Sequence, residues 1–263
     1  MRLAVLIPVF NAGTDLQRSL ASLASDPYPF DIVVVDDGSL PQVVLSDSIG
    51  SHAVVLLRHD RNRGVAQALN TGLSWIAANG YDLVARLDAG DMNEPHRFDV
   101  QVDCLQRHPE IAIVGAWTRH LDETLEPLYT TRYPASWERI RRCFHYRAAF
   151  SHPACIIRTR VLREAGVYDE RFVLSEDYEL FWRIAQRFPC ANVQEVLVTR
   201  VEDLGSLTHV HRLAAARMRL RLQWQHFAWA RIDCWLGLAR SVSLLLIPGR
   251  VALSLKRALG TIG

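Results

Sequence analysis

Asp88 and Asp91 stand three residues apart, where the apolar stretch Leu83-Val84-Ala85-Arg86-Leu87 gives way to Ala89-Gly90. Carboxylates at such a boundary suit Mg²⁺ or Mn²⁺, hard cations that take one or two carboxylates and complete their shell with substrate phosphate oxygens. The plainer alternative is a turn into a helix, with Asp91 or Asn93 as its cap ahead of Pro95. Two acidic groups closing so apolar a run favour the metal. A second acidic pair, Asp36-Asp37, leads into Gly38-Ser39. One of these aspartates caps a following helix or accepts hydrogen bonds from a base or ribose, as acidic residues do in dinucleotide-binding folds, and the local pattern leaves both open. A third pair, Glu176-Asp177, precedes the amphipathic run Tyr178-Glu179-Leu180-Phe181-Trp182-Arg183-Ile184. Its local pattern favours acidic groups placed for the helix dipole; the sharper reading is a general base beside an acceptor. His152, ahead of the apolar run 154–157, is a strand-entry residue or the wall of a site.

The elements that must position these groups alternate in type. Residues 3–9 form a short apolar run, after which Leu16, Leu20 and Leu23 recur at helical spacing. Residues 32–35 are β-branched and continuous, as a strand buried on both faces should be, and 53–57 repeat the theme. Residues 66–78 read as a helix, 83–87 as a fourth strand, 95–107 as a helix opening at Pro95, and 111–116 as a fifth strand. This alternation predicts an α/β fold, a mostly parallel Rossmann-like sheet with helices on both faces. The first four strands each run into a polar cluster: Pro8-Val9-Phe10-Asn11, Asp36-Asp37-Gly38-Ser39, Asn62-Arg63-Gly64 and Asp88-Ala89-Gly90-Asp91. One such cluster is an ordinary turn. Four at successive carboxyl ends fall on one edge of a parallel sheet, where open α/β sheets bind ligands, and they point to a nucleotide-type site.

In this order and spacing the clusters resemble glycosyltransferase family 2, the large inverting family with the GT-A fold. The resemblance spans roughly residues 3 to 208. Besides the four clusters it rests on Asn70, Gly72, Pro95, Arg97, Gln101, His152-Pro153, Gly166-Val167-Tyr168-Asp169 and Glu176-Asp177. It implies a nucleotide-diphosphate sugar donor, UDP- or dTDP-linked, and transfer to a hydroxyl of a saccharide or lipid-linked acceptor in surface polysaccharide or glycolipid synthesis. It implies that Asp37 recognises the base, that Asp91 binds the Mn²⁺ or Mg²⁺ bridging the diphosphate, and that Asp88 supports the metal or the sugar. Pro8, Phe10, Asn11, Asn62, Gly64 and Arg86 then line the donor site. Asp177 becomes the catalytic base, against its local reading. Two departures stand out. Gly90 occupies the third position of a motif that relatives commonly write Asp-x-Asp-Asp, which leaves the metal mainly to Asp91. Thr199-Arg200-Val201-Glu202 replaces a Tyr-Arg-x-His pattern, with Glu202 a substitute oxygen ligand.

Two rival readings fit less well. A sugar nucleotidyltransferase wants a Gly-rich, Lys- or Arg-bearing phosphate loop after the first strand, and Asn11-Ala12-Gly13-Thr14 does not supply one. A non-catalytic sugar-nucleotide-binding or scaffold protein of the same fold is what Gly90 invites; retention of both Asp91 and Asp177 argues against it.

Charge divides the chain. Residues 209–263 hold nine Lys/Arg against Asp233 alone, a charge of +8; the whole chain is +2, so residues 1–208 carry −6. A catalytic unit over 1–208 and a basic amphipathic helical tail over 209–263 are therefore expected. Leu220, Trp224, Phe227, Trp235, Leu238, Val242 and Leu245 fall on one face of a continuous helix ended by Pro248-Gly249. Residues 234–247 are only fourteen and include Arg240, too short to span a bilayer. The stripe either packs on the catalytic unit or a second subunit, or lies in a membrane interface, where Trp and Arg are at home. Its charge favours an anionic membrane surface, and no nucleic-acid-binding motif accompanies it. Five scattered cysteines without a Cys-x-x-Cys pair predict free thiols in a reducing compartment. The opening apolar run is too short for a secretory signal. The expected location is the cytoplasm, peripheral on the inner face of the cell membrane.

Overall fold

The computed structural model describes residues 1–202, 212–246 and 261–262. At its centre four parallel strands lie side by side: β4 (His52–Arg58), β2 (Asp31–Asp36), β1 (Leu3–Val9) and β5 (Leu83–Arg86). Their register sets Val9 beside Asp36 and Leu6 beside Arg86, so the polar clusters that follow share one edge. Odd and even positions of β1 feed two separate cores. Leu3, Val5 and Ile7 pack with α1 (Gly13–Ala24) and α3 (Arg97–Arg107) on one face. Ala4 and Leu6 pack on the other with α2 (Val65–Ala78), α4 (Trp137–Cys143), α5 (Thr159–Ala165) and α6 (Glu176–Arg187). Strands buried on both faces must be apolar throughout, which is why these runs do not alternate.

Beyond β5 the sheet turns mixed. β9 (Ile156–Arg158) runs antiparallel between β5 and β7 (Ile113–Leu121), and β8 (Pro127–Thr131) extends the edge to β11 (Thr261–Ile262). A long strand, β10 (Cys190–Val201), pairs parallel with β7 and antiparallel with β6 (Met92–Asn93). Thr199 sits opposite Met92, which carries Arg200 to the Asp88–Asp91 turn.

The α/β architecture read from the sequence holds, with differences of detail. No helix joins β2 to β4. The Asp36 carboxylate instead gathers the backbone N–H groups of Ser39 and Val43, which fixes the loop without one. A short β3 (Ser48–Ile49) then pairs with β4. Asp36 and Asp37 therefore cap no helix. Neither does Asp91 or Asn93: the helix after Pro95 is preceded by His96, with no side-chain cap.

The tail is helical but not one continuous helix. It forms α7 (Arg212–Gln225) and α8 (Ile232–Leu246), packed against each other. Gln223 donates to the His145 carbonyl (2.8 Å), and Cys234 Sγ lies 3.3 Å from His145 Nδ1. These residues would be about 16 Å apart along a straight helix, so docking both on His145 demands the break. The 208/209 boundary, the Pro248-Gly249 stop and the stretch with Val251 and Leu255 lie outside the described residues. Among the described residues no helix is long and apolar enough to cross a membrane.

Candidate active site at the strand ends

Two groups of polar residues occupy the sheet edge. In the first, Asp37 is buried and accepts from the backbone N–H of Arg63 (2.9 Å) and of Gly64 (2.8 Å). His59 Nδ1 lies 2.6 Å from the same carboxylate, and Thr71 holds its Nε2. A carboxylate offers about four acceptor positions, so the fold itself uses three and Asp37 shapes the Asn62–Gly64 turn. Asn62 closes that turn by accepting from Gly64 N–H (3.0 Å). Asn11 ties β1 to the loop after β2, taking a hydrogen bond from Leu40 N–H and giving one to Ser39 Oγ (both 2.9 Å). Phe10 projects into solvent beside it, and Pro8 stays half-buried within β1.

The second group centres on Arg86, wholly buried at the end of β5. Its guanidinium donates to the carbonyls of Leu6 and Leu87, to Asp88 Oδ1 and to His152 Nε2. Since Arg86 Nε–H can only donate, His152 is a neutral ring with its proton on Nδ1. Burial, with the Arg86 charge beside it, pushes His152 down to about 4. Tyr168 OH, 2.7 Å from the same nitrogen, closes the cluster. His152 thus joins the Arg86 cluster through Nε2. Arg97 braces the assembly from below, donating to the Arg86 carbonyl (3.0 Å) and to Gln101, which in turn holds the Ala154 and Val114 carbonyls.

Asp88 and Asp91 lie in this group and differ sharply. Burial alone would raise Asp88, but the charges of Arg86 and Arg200, with the hydrogen bond from Arg86, outweigh it and hold the carboxyl below its usual range. Asp91 is pushed up to about 7 by burial, against the pull of Arg200 and with Asp88 adding to the rise. Its Oδ2 lies 3.3 Å from Arg200 Nε but out of hydrogen-bond alignment, and the atom has no hydrogen-bond partner. A charge contact of this kind does not satisfy a buried lone pair. The pair therefore holds one negative charge readily; a second, on Asp91, requires further positive charge. That requirement fits a divalent cation. Among the described residues no three His, Cys, Asp or Glu groups converge in ligating range. The chain thus offers a cation one or two carboxylates, the manner in which Mg²⁺ is held when phosphates complete the shell.

Gly90, between them, has φ +101, a region L side chains avoid. An added Cβ would meet Asp15 of α1 at 3.5 Å. Its N–H is held by the Asp15 carbonyl (3.2 Å) and Ser19 Oγ (2.9 Å), which lashes the turn to α1.

Residues 4–167 match the family profile described as Glycosyl transferase family 2. The chain belongs to glycosyltransferase family 2. It is 30% identical over 202 residues to the amylovoran biosynthesis glycosyltransferase AmsE of Erwinia amylovora, covering 74% of each chain. It is 27% identical over 189 residues to the UDP-Gal:α-D-GlcNAc-diphosphoundecaprenol β-1,3-galactosyltransferase of Escherichia coli, covering 70% of this chain and 67% of that one. Among solved structures it resembles the mannosyltransferase PcManGT of Pyrobaculum calidifontis in complex with GDP-Man and Mn²⁺, with a TM-score of 0.61 at 17% identity, covering 98% of this chain and 80% of that one. The fold is that of the GT-A glycosyltransferases, and the protein is a glycosyltransferase enzyme.

In this transferase the Glu176-Asp177 pair opens α6. Glu176 is buried, its Oε2 has no hydrogen-bond partner, and burial followed by the Asp177 charge raises it to about 7. Asp177 is only half-buried and accepts the Tyr178 N–H (2.7 Å). Its charge acts on both Glu176 and His152. Glu202 is engaged: its Oε1 lies 2.7 Å from His120 Nδ1 and accepts from Tyr129 OH (2.8 Å). Burial raises that carboxyl, yet the bonds from His120 and Tyr129 and the Arg200 charge hold it well below its usual range. Sequence reasoning gave Arg200 no role. The signal available was its position in an extended run, Cys190–Val201, whose pairing with a two-residue strand no local pattern reveals.

Proposed function

We propose that this transferase moves a sugar, with inversion, from a nucleotide-diphosphate donor to a hydroxyl of a saccharide or lipid-linked acceptor. The observation that carries the reading is the unsatisfied buried oxygen of Asp91 beside Arg200, at the sheet edge where open α/β folds take nucleotides. Asp91, with Asp88 behind it, would hold a divalent cation, and Mn²⁺ accompanies GDP-Man in the structure of PcManGT. When bound, such a cation neutralises charge developing on a departing diphosphate. Asp37 sits at the base end of the donor and Arg200 supplies permanent positive charge for the phosphates.

Of the acidic pair on α6, only Asp177 is open enough to meet an acceptor hydroxyl. It takes the hydroxyl proton as the acceptor oxygen bonds to the anomeric carbon and the bond to the diphosphate oxygen breaks. Glu176, buried in the protein, cannot reach an acceptor hydroxyl for that task. A UDP- or dTDP-sugar donor and a lipid-linked acceptor are favoured by the kinship with the Escherichia coli galactosyltransferase, whose name contains both a UDP donor and a diphosphoundecaprenol acceptor. Hydrolysis and binding of UDP-, dTDP- and GDP-sugars, with and without Mn²⁺, test the reading. One donor engaged only with metal is expected; folded protein that ignores every donor would sink it.

A further inference from the structure

Four aromatic rings cluster where α7 passes into α8. Trp224 stacks on Phe227 (5.5 Å between centroids), Phe227 meets Trp235 (4.9 Å), and Trp229 meets Trp235 (5.4 Å). They are not a core. Trp224 is 59% exposed, Trp229 70% and Trp235 46%, and neighbouring Ile232 is 71% exposed. The same helices bury Leu222, Gln223, Cys234 and Ser241, with Leu222 in the core shared with α6 and Gln223 and Cys234 against His145. There the contact is close: a Cβ on Gly237 would come within 1.7 Å of the His145 carbonyl oxygen. Tyr146 OH donates to Asp233 (2.7 Å) and Arg240 to the Tyr146 carbonyl (2.7 Å). The pair is thus fixed by its polar face and shows its aromatic face to solvent.

We propose that this aromatic face seats the enzyme in the headgroup layer of an anionic lipid bilayer. Trp prefers that layer because its ring is apolar and its N–H polar. Arg217 and Arg221 stand exposed on α7, and Asp233, the lone acidic residue of 209–263, is already tied by Tyr146 and Arg231. A charge of +8 over that segment is complementary to acidic lipid and unfavourable to a second copy, since a two-fold contact sets like faces together. The placement also bears on catalysis. His226 stacks on Trp182 (4.5 Å) and Arg219 lies over Tyr178 (5.5 Å), both rings of α6. The bilayer face is thereby joined to the helix whose first turn carries Asp177. Use of that join by a lipid-linked acceptor rests on the proposed function; the membrane contact does not.

Co-sedimentation of the full chain with vesicles tests it, comparing phosphatidylcholine alone with phosphatidylcholine mixed with phosphatidylglycerol. The expected result is binding to the acidic vesicles only, weakened by salt and accompanied by a blue shift of Trp emission. Trp229→Glu with Ile232→Glu, chosen because both side chains are exposed, should weaken it on the order of ten-fold or more while melting temperature and donor binding stay unchanged. Equal vesicle binding by the double variant, or none by the wild type, overturns the proposal. A wild-type dimer lost in the variant, without vesicle binding, assigns the face to a second copy. Vesicle binding by a protein that binds no donor leaves this proposal standing and removes the other.

Discussion

At the strand ends charged groups are buried and paired with one another; on the tail helices charge and aromatic rings alike face solvent. Arg86 has every nitrogen engaged and Asp37 has three acceptor positions filled. A network this closed fixes geometry, because loosening one member leaves another buried and unpaired. Among the described residues, the buried atoms left without a hydrogen-bond partner here include Asp91 Oδ2, Glu176 Oε2 and Arg97 Nη1. The helix pair is held on its inner side by the His145–Tyr146 contact and by His226 and Arg219 against α6. Its outer face is free to meet a surface, as a catalytic edge cannot be. The difference separates a site that must be preorganised from a face that need only adhere.

That contrast can be broken in three ways. Asp177→Asn should lower turnover by about 10²–10⁴, the usual worth of a positioned base, while donor binding measured by calorimetry stays near wild type. Near-normal turnover would take Asp177 out of the role. Gly237→Ala should act only on the other region. Its methyl meets a backbone carbonyl, so unfolding experiments should show a loss of about 1–3 kcal/mol with donor affinity retained. A parallel loss of donor binding would mean the two regions are not separable. The smallest effect concerns pH. Burial, with Arg231 nearby, pushes His145 from 6.5 down to about 4. The unfolded chain therefore binds the proton first, and stability is present above 6.5 and lost as pH falls toward 4. Thermal midpoints across that window should slope less in His145→Gln than in wild type.

Much of the catalytic edge was legible because parallel strands write themselves plainly: runs such as Ile32-Val33-Val34-Val35 are apolar on both faces, and the polar residues that follow must share an edge. Asp88 and Asp91 could be placed for that reason. Their unequal protonation could not, since it depends on how tertiary packing buries Asp91 and sets the Arg86 guanidinium on Asp88. Of the two roles left open for Asp36 and Asp37, the helix cap does not occur, because the Asp36 carboxylate satisfies loop amides directly. In the tail helical structure was legible and its continuity was not. Nothing in residues 226–231 is a helix breaker; the break comes from docking both helices on His145, a tertiary demand that overrides local propensity.

The most direct test of the strand-end site is calorimetry of UDP or the preferred donor nucleotide, with and without Mn²⁺, on wild type and Asp91→Asn. The account predicts binding that Mn²⁺ strengthens in wild type and leaves unchanged in the variant, whose melting temperature does not fall because an unsatisfied buried carboxylate has been removed. Equal enhancement by Mn²⁺ in both proteins would contradict it.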